Sequence, residues 1–235
     1  MMEIIDFHTH VFPDHIAPRA IAALRDSAGV PNRLDGTVND LRASMRRNGI
    51  SRSVLLLIAT KPEQVSVINS SCPSLQSDDI VAFGTLHPKM EDPGAEVERL
   101  YSSGVTGIKL HPEYQDFYVD DRAFFPAYEA LQERGMIVVF HAGKDPGPFT
   151  CDHALPAALR TVVREFPRLR VVASHMGGWQ VWDEVEQVLA GESLWFDTSA
   201  IADHLPPDRF VALVRRHGAH RIVFGTDSPW YDQGK

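Results

Sequence analysis

Apolar residues along this chain come in short runs separated by stretches of helical periodicity, and the two alternate with little interruption. Residues 52–59 read Arg-Ser-Val-Leu-Leu-Leu-Ile-Ala, the continuous apolar run of a parallel strand covered on both faces. Runs of the same kind occupy residues 80–86, 105–110, 136–140, 169–174, 194–198 and 221–225. Between them helices are predicted from about Pro62 past Cys72-Pro73, and then over 92–103, 122–134, 153–166, 179–189 and 207–216. Most stop at a breaker: Gly104, Gly135, Pro167, Gly191 or Gly218. Earlier in the chain, Asp14 is placed to cap a helix reaching about Ala28, and Thr37 or Asn39 to open another ending at Asn48-Gly49.

The first strand, residues 3–12, is of a different kind. Strand alternation puts Asp6, His8 and His10 on one face and Ile5, Phe7, Thr9 and Val11 on the other. With it the chain has eight short strands, each but the last followed by helix. Strict alternation of this sort implies a parallel sheet with right-handed crossovers, and eight units suit a closed (β/α)8 barrel filling one domain, residues 1–235. The alternative is an open doubly wound sheet. A binding module of that type needs a Gly-rich phosphate loop after its first strand, and there is none. A final helix after the eighth strand is missing, which predicts uncovered apolar surface on the first and last strands. Either the natural chain is longer or a neighbouring subunit covers the gap, so a homo-oligomer, a dimer in the simplest case, is expected.

Composition narrows the partners. At 235 residues and 44% hydrophobic content the chain can bury a normal core. Its net charge of −8, with no cluster of Lys and Arg, argues against nucleic acid or an anionic membrane and for a small molecule. Cys72 and Cys151 offer no disulfide framework, which points to a reducing compartment, the cytoplasm. The N-terminus lacks the basic start of a signal peptide, and no apolar run nears the ~20 residues that span a bilayer.

Barrel enzymes carry their chemistry at the C-terminal ends of the strands. There the sequence places His8 and His10, His87, Lys109 and His111, His141, His175 and Asp227, with six of the eleven histidines at one rim. His87, directly before Pro88, reads as hydrogen-bonded structure. His141 and His175 end apolar strands and are followed by glycines that leave backbone room for something bound. His8, His10, His141 and Asp227 together offer three nitrogens and one oxygen, a set that suits Zn2+, with Mn2+ or Fe2+ as alternatives. A water on such an ion has its pKa lowered toward neutrality; Asp227 can take its proton, and His175 can polarise a carbonyl across the mouth.

Five stretches carry a resemblance: Asp6-Phe-His-Thr-His10, Gly107-Ile-Lys-Leu-His-Pro112, Phe140-His-Ala-Gly143, Ser174-His-Met-Gly-Gly178 and Phe224-Gly-Thr-Asp-Ser-Pro229. In this order the chain resembles the amidohydrolase superfamily, specifically its amidohydrolase-2 branch of metal-dependent barrel hydrolases and decarboxylases. The resemblance implies that His8, His10 and His141 bind metal, that Asp227 is both ligand and base, and that His175 is a catalytic histidine or a ligand of a second metal. Some relatives bridge two metals with a carboxylated lysine on strand four; here Lys109, one layer below His111, is expected to balance charge beside a single metal. Relatives that decarboxylate tend to be longer. The short loops therefore favour hydrolysis of an amide, lactone or ester, with non-oxidative decarboxylation of an aromatic or unsaturated acid as the alternative and an inactive metal-binding scaffold behind both. The loop of residues 143–153 should shape the pocket, Lys144 and His111 should hold a substrate carboxylate, and Tyr114 and Trp230 should form apolar walls.

Overall fold

In the computed structural model, which describes residues 3–234, the strands are β1 (Ile5–Thr9), β2 (Arg52–Leu56), β3 (Ile80–Thr85), β4 (Gly107–Leu110), β5 (Ile137–Phe140), β6 (Arg170–Ala173), β7 (Trp195–Asp197) and β8 (Ile222–Val223). All pair in parallel and in chain order. β8 is only two residues long, yet the barrel closes through backbone bonds on either side of the gap. Phe7 N–H donates to the Phe224 carbonyl at 2.8 Å, Asp227 N–H to His8 at 2.9 Å and His10 N–H to Ser228 at 2.7 Å. The fold is a TIM barrel.

Helices α1 (Ala17–Ala28), α2 (Val38–Asn48), α3 (Val65–Leu75), α4 (Pro93–Ser102), α5 (Pro112–Gln115), α6 (Phe125–Glu133), α7 (Pro156–Glu165), α8 (Trp182–Glu184) and α9 (Pro207–His217) surround it. Local chemistry sets several boundaries. Thr37 accepts from Asp40 N–H at 3.2 Å to open α2, and Gly49, with φ 68°, closes it in the left-handed conformation that costs glycine least. Pro156 and Pro207 begin α7 and α9, where the missing N–H is no loss. Asp14 does not cap α1, because the chain turns before it and Ile16 occupies the cap position without a side-chain bond. The helix expected from residue 153 starts later because Glu113 takes His153 N–H at 2.9 Å and holds that residue in the loop. The expected helix over 179–189 shrinks to α8 and a π turn at Val185–Leu189, its start pinned by Trp182 Nε1 donating to the His175 carbonyl at 3.0 Å.

Two apolar layers hold the barrel. A small inner cluster of Val54, Leu56, Phe83, Val139 and Val172, with Phe7 against Phe83, fills the interior. A larger one, including Leu41, Leu100, Tyr128, Leu159 and Leu213, lies between sheet and helices. Each fully buried leucine there stabilises the fold by roughly 2 kcal/mol.

Phe7 is thus an interior residue, and this corrects the expected alternation of β1. Its register against β2 is irregular between Asp6 and Thr9. That break lets Phe7 and His8 both serve the interior, while Asp6 leaves the histidines. The Asp6 carboxylate accepts from Thr226 Oγ1 at 2.6 Å, Thr226 N–H at 3.0 Å, Gln233 Nε2 at 2.7 Å and His8 N–H at 3.2 Å, stitching β1 to the chain beyond β8. Burial pushes its pKa up to about 6 against those hydrogen bonds. Among the described residues no helix follows β8, and Ile5 on β1 and Phe224, the residue after β8, are 43% and 38% exposed, as the sequence leads one to expect. No helix of the described residues is long and apolar enough to cross a membrane.

Candidate functional site

Strand ends bring His8, His10, Lys109, His111, His141, His175 and Asp227 to the floor of one cavity of about 950 Å3. Tyr114 and Trp230 line it too, joined by Trp179 and Tyr231. Lys144 does not: its side chain is exposed, and its carbonyl oxygen is what reaches the site. His87 is buried away from this cavity, its Nδ1 accepting from Lys89 N–H at 3.1 Å.

The orientation of each imidazole follows from what its other nitrogen touches. His10 Nδ1 lies 2.8 Å from the Leu56 carbonyl, an acceptor only, so Nδ1 carries the proton. His8 Nδ1 lies 2.9 Å from the Asp197 carboxylate and is protonated for the same reason. Both Nε2 atoms therefore present lone pairs, and they face each other at 3.1 Å. Asp227 Oδ1 sits 3.3 Å from both. Three electron-pair donors so placed repel one another unless a cation lies between them. Their spacing matches the ~3.3 Å edge of a tetrahedron with ~2.0 Å bonds, as zinc-type ions form with N and O ligands.

His141 and His175 repeat the arrangement next to it. His175 Nδ1 donates to the Ser199 carbonyl at 3.0 Å, and His141 Nε2 to the Lys144 carbonyl at 3.0 Å. That leaves His175 Nε2 and His141 Nδ1 as free lone pairs 3.1 Å apart. The His175 ring is 5.4 Å from that of His8, so both pairs open on the same mouth. The donor atoms of His8, His10 and Asp227 all lie within 4.8 Å of one another, a triad that His141 adjoins without entering.

Electrostatics agree with a cation. Burial, with the charge of Lys109 behind it, pushes the His8 pKa down to about 4. Burial, with His141 next, also takes His175 down to about 4, and burial, with His111 next, takes His141 down to about 3. All three are neutral and ready to ligate. Burial opposes ionisation of Asp197, Asp227 and Asp145 as well. Neighbouring histidines outweigh it, together with Ser199 at Asp197, and hold all three carboxyls well below the usual range. Lys109, pushed down by burial to about 8 and donating to Ser174 Oγ at 3.3 Å, is the one Lys or Arg lining the cavity among the described residues. Around the donor set the ionised Asp145, Asp197 and Asp227 outnumber this one ammonium, an excess of negative charge that a divalent cation offsets.

Two parts of this site escaped the sequence. Asp197, at the end of β7 in Trp195-Phe-Asp-Thr-Ser199, is the pivot: beyond His8 it accepts from His175 N–H and Ser199 N–H, both at 3.0 Å, and from the Ser199 hydroxyl. A charged residue closing an apolar strand was the available signal, the same one that marked Asp227. Asp145 lies 3.4 Å from His111 Nε2 and 3.6 Å from His141 Nε2, while the two rings stack at 4.2 Å. These three also fall within ligand distance of one another. With His141 Nε2 committed to a carbonyl and Asp145 taken by Gly147 N–H at 2.7 Å, they act as a hydrogen-bonded clamp on the rings.

The glycine after His141 has a different purpose from the one expected. A Cβ on Gly143 would lie 2.3 Å from the Trp179 nitrogen, and Trp179 N–H donates to the Ala142 carbonyl at 2.8 Å. The room is used by the loop after β6, not by a ligand.

Behind His111 lies a buried acid. Glu113 Oε2 has no hydrogen-bond partner, His111 Nδ1 is 3.9 Å from it, and burial pushes the Glu113 pKa from 4.5 up to about 7. Folded Glu113 keeps a proton that the unfolded chain has already released, so it makes stability fall as pH rises through that window. Glu113→Gln preserves the acceptor for His153 and removes the titration. Relative to the parent, the variant should gain up to ~3 kcal/mol between pH 5 and pH 8 in urea unfolding, and a difference that does not change with pH would refute this.

Comparison with known proteins places the fold. No curated protein matches the sequence. Among solved structures, 5-carboxyvanillate decarboxylase LigW from Sphingomonas paucimobilis superimposes with a TM-score of 0.73 at 16% identity, covering 100% of this chain and 91% of that one. An uncharacterised TIM-barrel protein from Bordetella bronchiseptica gives 0.77 at 20%, over 98% and 88% of the two chains. A dihydroxybenzoic acid decarboxylase from Polaromonas sp. JS666, solved with manganese and 2-nitroresorcinol, gives 0.74 at 19%, over 99% and 88%. The donor set of this chain, His8, His10 and Asp227, is one that could hold a divalent metal. The family model for the amidohydrolases matches residues 5–235, and on that match the chain belongs to the amidohydrolase family.

Proposed function

We propose that this protein is a metal-dependent lyase that removes CO2 from a small aromatic or unsaturated carboxylic acid. The observation that carries the reading is the contrast within one cavity. Its floor gathers the donor set, the single ammonium of Lys109 and the buried carboxylates, while Tyr114, Trp179 and Trp230 supply aromatic walls. Such a site takes a flat apolar body with an anionic head. Decarboxylases among the structural neighbours support the choice. The expectation of hydrolysis rested on short loops, but this chain aligns over 91% of one decarboxylase, so length gives no ground for preferring it.

His8, His10 and Asp227 are the residues that would hold the ion, Zn2+ or Mn2+, with His141, whose free Nδ1 adjoins that triad, available as a further ligand. When bound, it would supply Lewis acidity toward the oxygens of the acid. The chain's own residues do the rest. Lys109 keeps a positive charge beneath the carboxylate. In the reaction the bond to the carboxylate breaks, its electron pair stays on the substrate carbon, and a proton takes the place of CO2. His175 Nε2 is suited to move that proton, because Nδ1 and not Nε2 anchors the ring; the Asp227 carboxylate, whose Oδ1 faces the donor histidines, is the second candidate through its other oxygen. Aromatic walls exclude competing water.

The test is a panel of hydroxybenzoates and unsaturated acids, set against lactones and amides, with the manganese- or zinc-loaded protein. CO2 release from an acid, lost in His175→Ala, is the expected result. Turnover of a lactone or amide with no CO2 from any acid would establish hydrolysis instead, a reading that the ionised Asp227 beside the donor set also allows.

A further inference from the structure

The cavity does not end at the metal donors. From the floor it continues as a trough between α1 and α3. On the α1 side its wall is Ile16, Ala20, Leu24 and Ala28, each four residues after the last and so one stripe of the helix. On the α3 side it is Val67, Ile68, Ser71 and Leu75, again a single stripe. Within the two helices neither stripe carries a charge; the charged lining residues on this side, Asp14 and Glu63, precede α1 and α3. α1 buries only Ala17 and Ile21 against the body of the protein, so its second apolar stripe faces the trough with nothing against it. Ile16 and Val67 are 36% and 75% exposed, a cost that an apolar occupant would remove.

We propose that the acid taken by this site carries an extended apolar tail, an alkyl chain on the order of ten carbons, lying in the trough between α1 and α3 with its carboxylate on the metal floor. Continuity decides for a substrate tail over a protein partner. The trough and the floor are one cavity, so a molecule filling the first from the second must bear both an apolar body and a group for the donors. The length follows from the helix: the α1 stripe spans roughly 18 Å, of which an extended ten-carbon chain, at about 1.25 Å per carbon, covers about two thirds. The proposal rests on the acid-binding reading above and names the substrate class for it.

The test uses straight-chain carboxylates from acetate to dodecanoate, bound to the full-length metal-loaded protein and followed by calorimetry, with the metal-free protein alongside. Affinity should rise about threefold to fourfold per methylene up to roughly decanoate. Leu24→Asp and Val67→Asp, on residues that line the trough without joining the core, should flatten that rise and leave acetate binding and metal content unchanged. A flat series in the parent overturns the tail, as does a rise that both variants retain. A parent dimer that Leu24→Asp dissociates overturns it too, by making the trough an interface between two copies. A rise that is the same with and without metal supports the trough and sinks the acid-on-metal reading, so the two fail separately.

Discussion

Replacing His8 and His10 together by alanine is expected to strip the protein of its metal. Elemental analysis of the parent should find about one divalent ion per chain, and the double variant should retain less than a tenth of that after the same dialysis. The two Nε2 atoms are aimed at the site by bonds at the far side of each ring, to Asp197 and to the Leu56 carbonyl, and alanine puts no ligand in their place. Asp227 alone would be left from the triad, with His141 and His175 beside it. Thermal stability separates this from a folding defect. Added Zn2+ or Mn2+ should raise the parent's stability by about 2.7 kcal/mol at a hundred times its dissociation constant, and should leave the variant's unchanged. A variant that keeps its metal would sink the site as described.

The second large effect is at Asp197, where two substitutions should behave differently. Asp197→Ala removes the acceptor for His8 Nδ1, for two backbone N–H groups and for the Ser199 hydroxyl, all in a fully buried place. Leaving those donors unpaired should cost about 3–5 kcal/mol in denaturant unfolding. Asp197→Asn has the same shape and can keep Oδ1 toward His175 and Ser199. Its amide nitrogen then faces His8 and donates, which drives the His8 proton from Nδ1 to Nε2 and fills the lone pair the metal needs. Stability should fall by less than in the alanine variant, while metal affinity drops roughly 10–100-fold. Chelator competition measures the affinity, and nitrogen-15 NMR of the histidines reads the tautomer. Unchanged affinity in Asp197→Asn would show that Asp197 has no part in orienting His8.

The distance between sequence and structure is plainest on β1. Period-2 alternation correctly brought His8 and His10 to a common point and incorrectly took Asp6 with them. The irregular register between Asp6 and Thr9 is a property of how β1 meets β2, and no local pattern encodes it. At Gly143 the need for a residue without a side chain was legible in the sequence. That the neighbour is the Trp179 backbone became visible only when two loops, distant in the chain, were brought together. Lys144 shows the same limit: its position after β5 was correctly read as part of the mouth, but its carbonyl and not its ammonium faces His141.

By itself the sequence determined the barrel, because eight apolar runs separated by amphipathic stretches leave a parallel closed sheet as the arrangement that buries both kinds of face. It also determined which histidines gather at one rim, since strand ends in a barrel converge. Tertiary structure decided which nitrogen of each imidazole is free: for His8, His10 and His175 through Asp197, Leu56 and Ser199, which are 24 to 189 residues away, and for His141 through the turn that brings the Lys144 carbonyl back to its ring. It decided as well that α1 and α3 face each other across an apolar trough. Hydrogen-bond direction and the facing of two helices depend on atoms brought within a few ångströms by the fold, and a linear pattern of residue types does not contain those distances.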